Sequence, residues 1–152
     1  MDEIEEEKIE LVHCIYSSVG VEDYSQEFIV ELLDKAKRKN AELDITGMLL
    51  YDEGSFFQVL EGDPDVVSVL LKTIQQDPRH ERVMKIIFEE IEERNFSDWT
   101  MGYSDIKKDD LTQIEGMNDF FQSGKTFVDL DEGRTKNLLK AFKSGQWRSS
   151  LD

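Results

Sequence analysis

The sequence is poor in cysteine, histidine and proline, and it contains no long apolar run. Cys14 is the only cysteine, which excludes an internal disulfide and fits a reducing cytosol. The two histidines, His13 and His80, are far apart, and neither has ligand spacing with a cysteine or another histidine, so no metal set is expected. No stretch of about 18 apolar residues is present, which excludes a transmembrane helix. The N-terminal MDEIEEEKIE is acidic and lacks an apolar segment, so it does not read as a secretory signal. Positive charge is also scarce: 18 basic residues stand among 34 acidic ones, for a net charge of -16. Binding to a nucleic-acid backbone needs a basic patch, so this balance argues against such partners and reads as solubility. GxGxxG and Walker motifs are missing, and no serine has a His-Asp context. Hydrolytic and metal chemistry find no support.

What is present begins with one stretch, DITGMLLYDEGSFFQVLEGDP, from Asp44 to Pro64. Two apolar runs flank the turn Asp52-Glu53-Gly54, the pattern of a β-hairpin. Both runs are apolar at nearly every position, which predicts a hairpin in mid-sheet, covered on both faces. Gln58 breaks the second run between Phe57 and Val59. Its buried amide offers two donors and an acceptor and needs partners.

The 152 residues suffice for one domain with a full core. Residues 1–8 form an acidic extension. From Ile9, IELVHCIYSS predicts a first strand to about Ser18, with Val12, Cys14 and Tyr16 on one face and Leu11, His13 and Ile15 on the other. Cys14 reads there as a small buried hydrophobe. Ser25 is a candidate N-cap, and Phe28, Ile29, Leu32, Leu33 and Ala36 predict a helix to about Lys39. Asn40 continues the line of Leu32 and Ala36. It either stops that helix or sets an amide at the end of its buried stripe, and the pattern alone favours the stop. Asp63-Pro64 is a strong helix start, followed by Val66, Val67, Leu70, Leu71 and Ile74 up to the stop at Pro78. Thr73 and Asp77 put polar groups near the inner edge of that helix, although the pattern alone favours Asp77 accepting from Arg79 or His80 in the turn. Residues 82–93 predict a fourth strand, and Trp99, Met101 and Tyr103 alternate along a fifth.

This order, β-α-β-β-α-β-β, is an α+β, ferredoxin-like sheet with two helices on one face and an added strand. Its central strands are the first and third, which makes Tyr16 and Gln58 neighbours bordering the groove between the helices. They could simply satisfy one another, as buried phenols and amides do in many cores. Residues 106–152 form a C-terminal helical cap, with one helix around Leu111 to Phe121 and another from about Asp131 to Lys143. Neither would be stable alone in water, so both are expected on the sheet's open face or on a second chain.

The residues then fall into a familiar combination. The chain resembles the BLUF family, blue-light sensors that use FAD, over about residues 9–105. The motifs are IYSS around Tyr16, KRKNAELDITGMLLY with Asn40, FFQVLEGDPDVV with Gln58, QDPRH with Asp77, Arg79 and His80, and RNFSDWTMGYS with Trp99 and Met101. The resemblance implies FAD held noncovalently between the two helices, with its ring against the sheet. It implies that Tyr16 donates an electron and a proton to the excited flavin, and that Gln58 bridges Tyr16 and the ring. Asn40 would bond the polar edge of the ring, and Asp77 and Arg79 would lie near the ribityl and phosphate end, with His80 in the same flavin-binding motif. Trp99 and Met101 would pass the change on. Family members often carry a basic or imidazole side chain where Thr73 stands, and Lys72 beside it points about 100 degrees away. Such a protein is a switch and not an enzyme. No effector domain follows residue 105, so the expectation is a cytoplasmic sensor that signals to an effector in trans or through its own oligomerisation. The alternative is a ferredoxin-like interaction module without photochemistry. A small enzyme of the acylphosphatase kind would need a basic phosphate loop, which is missing.

Overall fold

The structure is a computed structural model that describes residues 10–22, 24–52, 54–96, 102–104 and 130–142. The elements run β1 (Val12–Gly20), α1 (Gln26–Leu43), β2 (Thr46–Asp52), β3 (Ser55–Gly62), α2 (Pro64–Gln75), β4 (His80–Glu90), β5 (Gly102–Ser104) and α3 (Glu132–Phe142). They form one five-stranded sheet in the order β4-β1-β3-β2-β5. The first four strands pair antiparallel, and β5 adds to β2 in parallel. This is the ferredoxin-like sheet with an added strand that the pattern predicts.

Local chemistry explains most boundaries. The Ser25 side chain accepts from the Phe28 N–H at 3.1 Å and starts α1. Asp63 accepts from the N–H groups of Asp65 and Val66, with Pro64 at the first helical position of α2. Asp131 accepts from the Arg134 N–H at 2.8 Å and starts α3. At the hairpin, Gly54 takes φ 86, a conformation glycine enters without strain, and Asp52 pairs with Ser55 across the turn. Every residue of β3 is buried, as the unbroken apolar run requires.

Two expectations need correction. Asn40 does not stop α1. The helix continues to Leu43, and the left-handed residue that ends it is Asp44 at φ 57. β4 starts at His80 and ends at Glu90 rather than covering 82–93. Its register against β1 slips twice, because β4 carries one extra residue between the partners of Ile15 and Tyr16 and another between those of Ser17 and Val19. Arg82, at φ 52, lies within the second slip. Such β-bulges re-aim side chains and leave no period-2 signature in a sequence.

The face of the sheet under α1 and α2 carries Val12, Cys14, Tyr16, Leu49, Phe56 and Leu60, packed on Ile29, Leu33, Val67, Leu70 and Leu71. The far face buries Ile15, Met48, Leu50, Phe57, Val59 and Ile87. α3 approaches β4 on that side, with Lys136 Nζ 3.7 Å from Glu89 and with Thr135 and Leu138 buried. The helix expected around residues 111–121 lies outside the described residues, as do Trp99 and Met101.

A carboxylate organises the far face. Glu61 is fully buried and accepts from Thr46 Oγ1–H at 2.8 Å, the Asn95 N–H at 2.7 Å and the Phe96 N–H at 3.1 Å. Arg94 lies alongside, donating to the Glu61 carbonyl, to Thr46 Oγ1 and to the Asp44 carbonyl. Strand β3 thereby holds the chain that leaves β4. Glu61→Ala strands one hydroxyl and two backbone donors, at about 1–3 kcal/mol each. Denaturant unfolding is expected to register a loss of at least about 3 kcal/mol.

Burial pushes the Cys14 thiol up to about 12, from an ordinary value of 9.0. The unfolded chain therefore releases this proton first. The stability linked to Cys14 is complete below pH 9 and is lost as pH rises toward 12. Unfolding free energy measured across that window should fall less steeply in Cys14→Ala than in the parent chain.

Candidate functional site

The site begins with a register. β1 and β3 place Tyr16 directly opposite Gln58, and both side chains face α1 and α2. Tyr16 is 3% exposed and Gln58 8%. The Tyr16 hydroxyl donates to Gln58 Oε1, so the amide oxygen faces the phenol and the NH₂ group faces away from it. Burial, reinforced by Cys14 and Asp77 nearby, pushes the Tyr16 phenol far above its ordinary range. It stays neutral at any physiological pH, its own hydroxyl proton directed at the Gln58 oxygen.

Above this pair lies a groove of about 210 Å³ between α1 and α2. Tyr16, Leu49, Phe56 and Gln58 line its sheet side, and Leu32, Ala36, Leu70 and Ile74 its helix side. Polar groups stand toward its ends. Asn40 is buried at 3% in the last turns of α1, with its amide on the groove. Asp77, Arg79 and His80 follow the end of α2. Thr73 also lines the groove, and its hydroxyl donates to the Val69 carbonyl of its own helix at 3.2 Å. All seven residues expected at a binding site therefore border one cavity.

Their chemistry differs along its length. Asp77 accepts from the Arg79 backbone N–H at 2.9 Å, from Nε at 2.9 Å and from Nη2 at 2.5 Å. Those bonds hold the Asp77 carboxyl below its ordinary range and raise the guanidinium. The turn interaction weighed for Asp77 is thus real, and it occurs at the groove. His80 commits both ring nitrogens. Nε2–H donates to the Ile74 carbonyl at 2.7 Å, and Nδ1 is hydrogen-bonded to the Ser18 hydroxyl at 2.8 Å. His80 therefore meets the cavity through ring carbon, standing edge-on to Tyr16 with centroids 6.3 Å apart. Tyr24, stacked on Phe28 at 4.3 Å, donates its hydroxyl to the Arg79 carbonyl and fixes that end.

Three features of the site were not read from the sequence. Lys35 and Lys39 line the groove. They stand one residue before Ala36 and Asn40, along the edge of the buried stripe, and that i,i+4 offset was the available signal. The third is the Ser18–His80 bond, which depends on the β4 bulges and has no local signature.

A flat heteroaromatic ring with hydrogen-bonding groups on one edge suits this cavity. The walls are apolar, and buried amides at Asn40 and Gln58 supply both donors and acceptors. The residues fit a flavin.

Comparisons with known proteins agree. The family model described as sensors of blue-light using FAD matches residues 11–102. The blue light- and temperature-regulated antirepressor BluF of Escherichia coli (strain K12) is 33% identical over 106 residues, 68% of this chain and 26% of its own length. The photoactivated adenylate cyclase subunit beta of Euglena longa is 34% identical over 137 residues, 89% of this chain and 16% of its own. The chain thus spans about a quarter or less of these relatives. Among solved structures, BlsA in its ground state superposes with a TM-score of 0.77 at 26% identity, covering 93% of each chain. BlrB, described as a BLUF protein in its dark state, gives 0.74 at 27% identity, covering 90% of this chain and 97% of its own. With the motif order, the sheet and the groove in agreement, the chain belongs to the BLUF family, the sensors of blue light using FAD.

Proposed function

We propose that Tyr16 and Gln58 are the switching pair of this blue-light sensor, and that Asn40, Thr73, Asp77 and Arg79 hold the flavin above them. The observation that carries the reading is the buried hydrogen bond from Tyr16 to Gln58 on the floor of the groove. Bound FAD supplies the blue-light absorption and, once excited, an acceptor for an electron. The chain's own part is to make that electron's departure from Tyr16 a coupled event. A phenol whose anion is disfavoured by burial does not give up its proton beforehand. When it loses an electron it becomes strongly acidic, and Gln58 Oε1 is the base already in contact.

Gln58 then has two ways to stay satisfied. With that proton on Oε1 it would release one of its own N–H protons toward the bound flavin and be left as the tautomer, or, with electron and proton back on Tyr16, it would stand rotated end for end, offering an N–H to the phenol oxygen. Either choice re-pairs each group the amide touches, and leaving one unpaired costs about 1–3 kcal/mol. Two such bonds are enough to bias a two-state element. Asn40 acts as a fixed donor and acceptor, held by a helix that runs past it to Leu43. Asp77 and Arg79, locked to each other, provide a rigid polar end. His80 serves this reading as a strut between Ser18 and Ile74.

BLUF proteins act through effectors, as the antirepressor and the cyclase subunits among the relatives illustrate. For this chain we place the output in the cytoplasm, directed to an effector in trans or to a second copy, with Trp99, Met101 and the cap of residues 106–152 carrying it. No helix among the described residues is long and apolar enough to cross a membrane. Leu130, Thr135 and Leu138 are buried where the cap meets the domain. Removing residues 109–152 should therefore expose apolar surface and change the oligomeric state seen by light scattering. An unchanged, soluble truncation would refute the role given to the cap.

The switch has a sharper test. Purified protein should be yellow, and blue light should shift its flavin band reversibly to longer wavelength. Tyr16→Phe should keep the flavin and lose the shift. A normal photocycle in that variant would remove Tyr16 from the mechanism, and a colourless protein that takes up no flavin would favour the interaction-module alternative.

A further inference from the structure

His80 borders the groove, yet both of its polar atoms are turned to the protein. Nε2–H donates to the Ile74 carbonyl at 2.7 Å, and the same carbonyl accepts from the Asp77 N–H at 3.0 Å. Nδ1 is hydrogen-bonded to the Ser18 hydroxyl at 2.8 Å. One imidazole therefore joins the end of α2 to β1, two residues beyond Tyr16. The second register slip of β4 allows this, since His80 pairs with Gly20 while its ring reaches back to Ser18. A carbonyl only accepts, so Nε2 carries a proton in either charge state of the ring. A hydroxyl can donate or accept, so Nδ1 keeps its bond with or without a proton. The brace works by position and not by titration.

A ring held at both nitrogens is a fixed surface for its neighbours. His80 stands edge-on to Tyr16, with centroids 6.3 Å apart and planes at 76°, and to Phe56 at 6.2 Å and 88°. Such T-shaped contacts favour one mutual orientation. Tyr16 needs that contact for a geometric reason. Its hydroxyl oxygen lies on the axis about which the ring turns, so the bond to Gln58 Oε1 does not resist rotation of the ring. The torsion itself is broad for tyrosine. A phenolic O–H prefers the plane of its ring, so whatever sets the plane also sets where the proton points. We propose that His80, braced between Ser18 and Ile74, is a positioning residue that fixes the plane of the Tyr16 ring and so aims the phenol proton at Gln58. The inference rests on Tyr16 and Gln58 being the switching pair, and it adds what sets the direction of the bond between them.

The test is the ring-flip rate of Tyr16, measured by NMR on the full chain with ring-labelled tyrosine and freed of bound flavin. The Tyr16 signal is the one missing from Tyr16→Phe. Ser18→Ala and His80→Leu should each speed the Tyr16 flip by at least about tenfold, with the Tyr51 ring unchanged as the control. Ser18→Thr, which keeps the hydroxyl, should return the flip to the parent rate. In the flavin-loaded chain, Ser18→Ala should lower the yield of the light-shifted band severalfold at equal flavin occupancy. An unchanged Tyr16 flip in both variants, an equal acceleration of Tyr51, a threonine no better than alanine, or an unchanged yield overturns the proposal and leaves the flavin reading standing. A parent chain that takes up no flavin overturns both.

Discussion

The antiparallel register of β1 on β3 is the constraint on which the rest depends. It sets Tyr16 opposite Gln58 on one face of the sheet and His13 opposite Glu61 on the other. Side chains alternate with a period of two, so a slip of one residue would send the phenol and the amide to opposite faces. Each would then be buried without its partner, at about 1–3 kcal/mol apiece. The unbroken burial of β3 makes such a slip costlier still, since Phe57, Val59 and Leu60 would all exchange environments. The site is thus specified by the same packing that specifies the sheet.

The far face explains how these strands can carry a polar pair without loosening. A transverse row crosses four strands there, from Glu89 on β4 to His13 on β1, Glu61 on β3 and Thr46 on β2. His13 Nε2–H donates to Glu89 at 2.9 Å, and Thr46 donates to Glu61 at 2.8 Å. The row is tied at one end to Lys136 of α3 and at the other to Arg94, Asn95 and Phe96. Gln58 and Glu61 are three residues apart on β3 and point to opposite faces. One accepts the buried bond from Tyr16, and the other fastens the strand on which that bond sits.

How much of this was legible in the sequence follows from the range of the interactions. N-caps at Ser25 and Asp63, the hairpin and the buried strand are local signals, and they appear where the residues put them. The Tyr16–Gln58 contact is long-range, yet it was accessible because the topology orders the strands and the period of two orders their faces. Asn40 was ambiguous for a physical reason. Asparagine suits a helix end, and only the continuation of α1 to Leu43 shows that Asn40 lies inside the helix, bordering the groove. The β4 bulges were invisible, since an extra residue in one strand is defined by its partner. With them went the Ser18–His80–Ile74 strut. Lys35 and Lys39 were passed over because exposed lysines on a helix ordinarily mark only a solvated face.

The neutral phenol and the locked Asp77–Arg79 pair solve opposite problems in one small cavity. A carboxylate near Tyr16 disfavours the phenolate, and Asp77 contributes to the upward push on that phenol. An unpaired carboxylate there would also repel an anionic ligand. Arg79 holds the Asp77 carboxyl below its ordinary range and so keeps it charged. The phenol then feels burial first and charge second, so its proton remains on the bond to Gln58 over the whole physiological range. The protonation of this buried pair is consequently set by desolvation first and by neighbouring charge second.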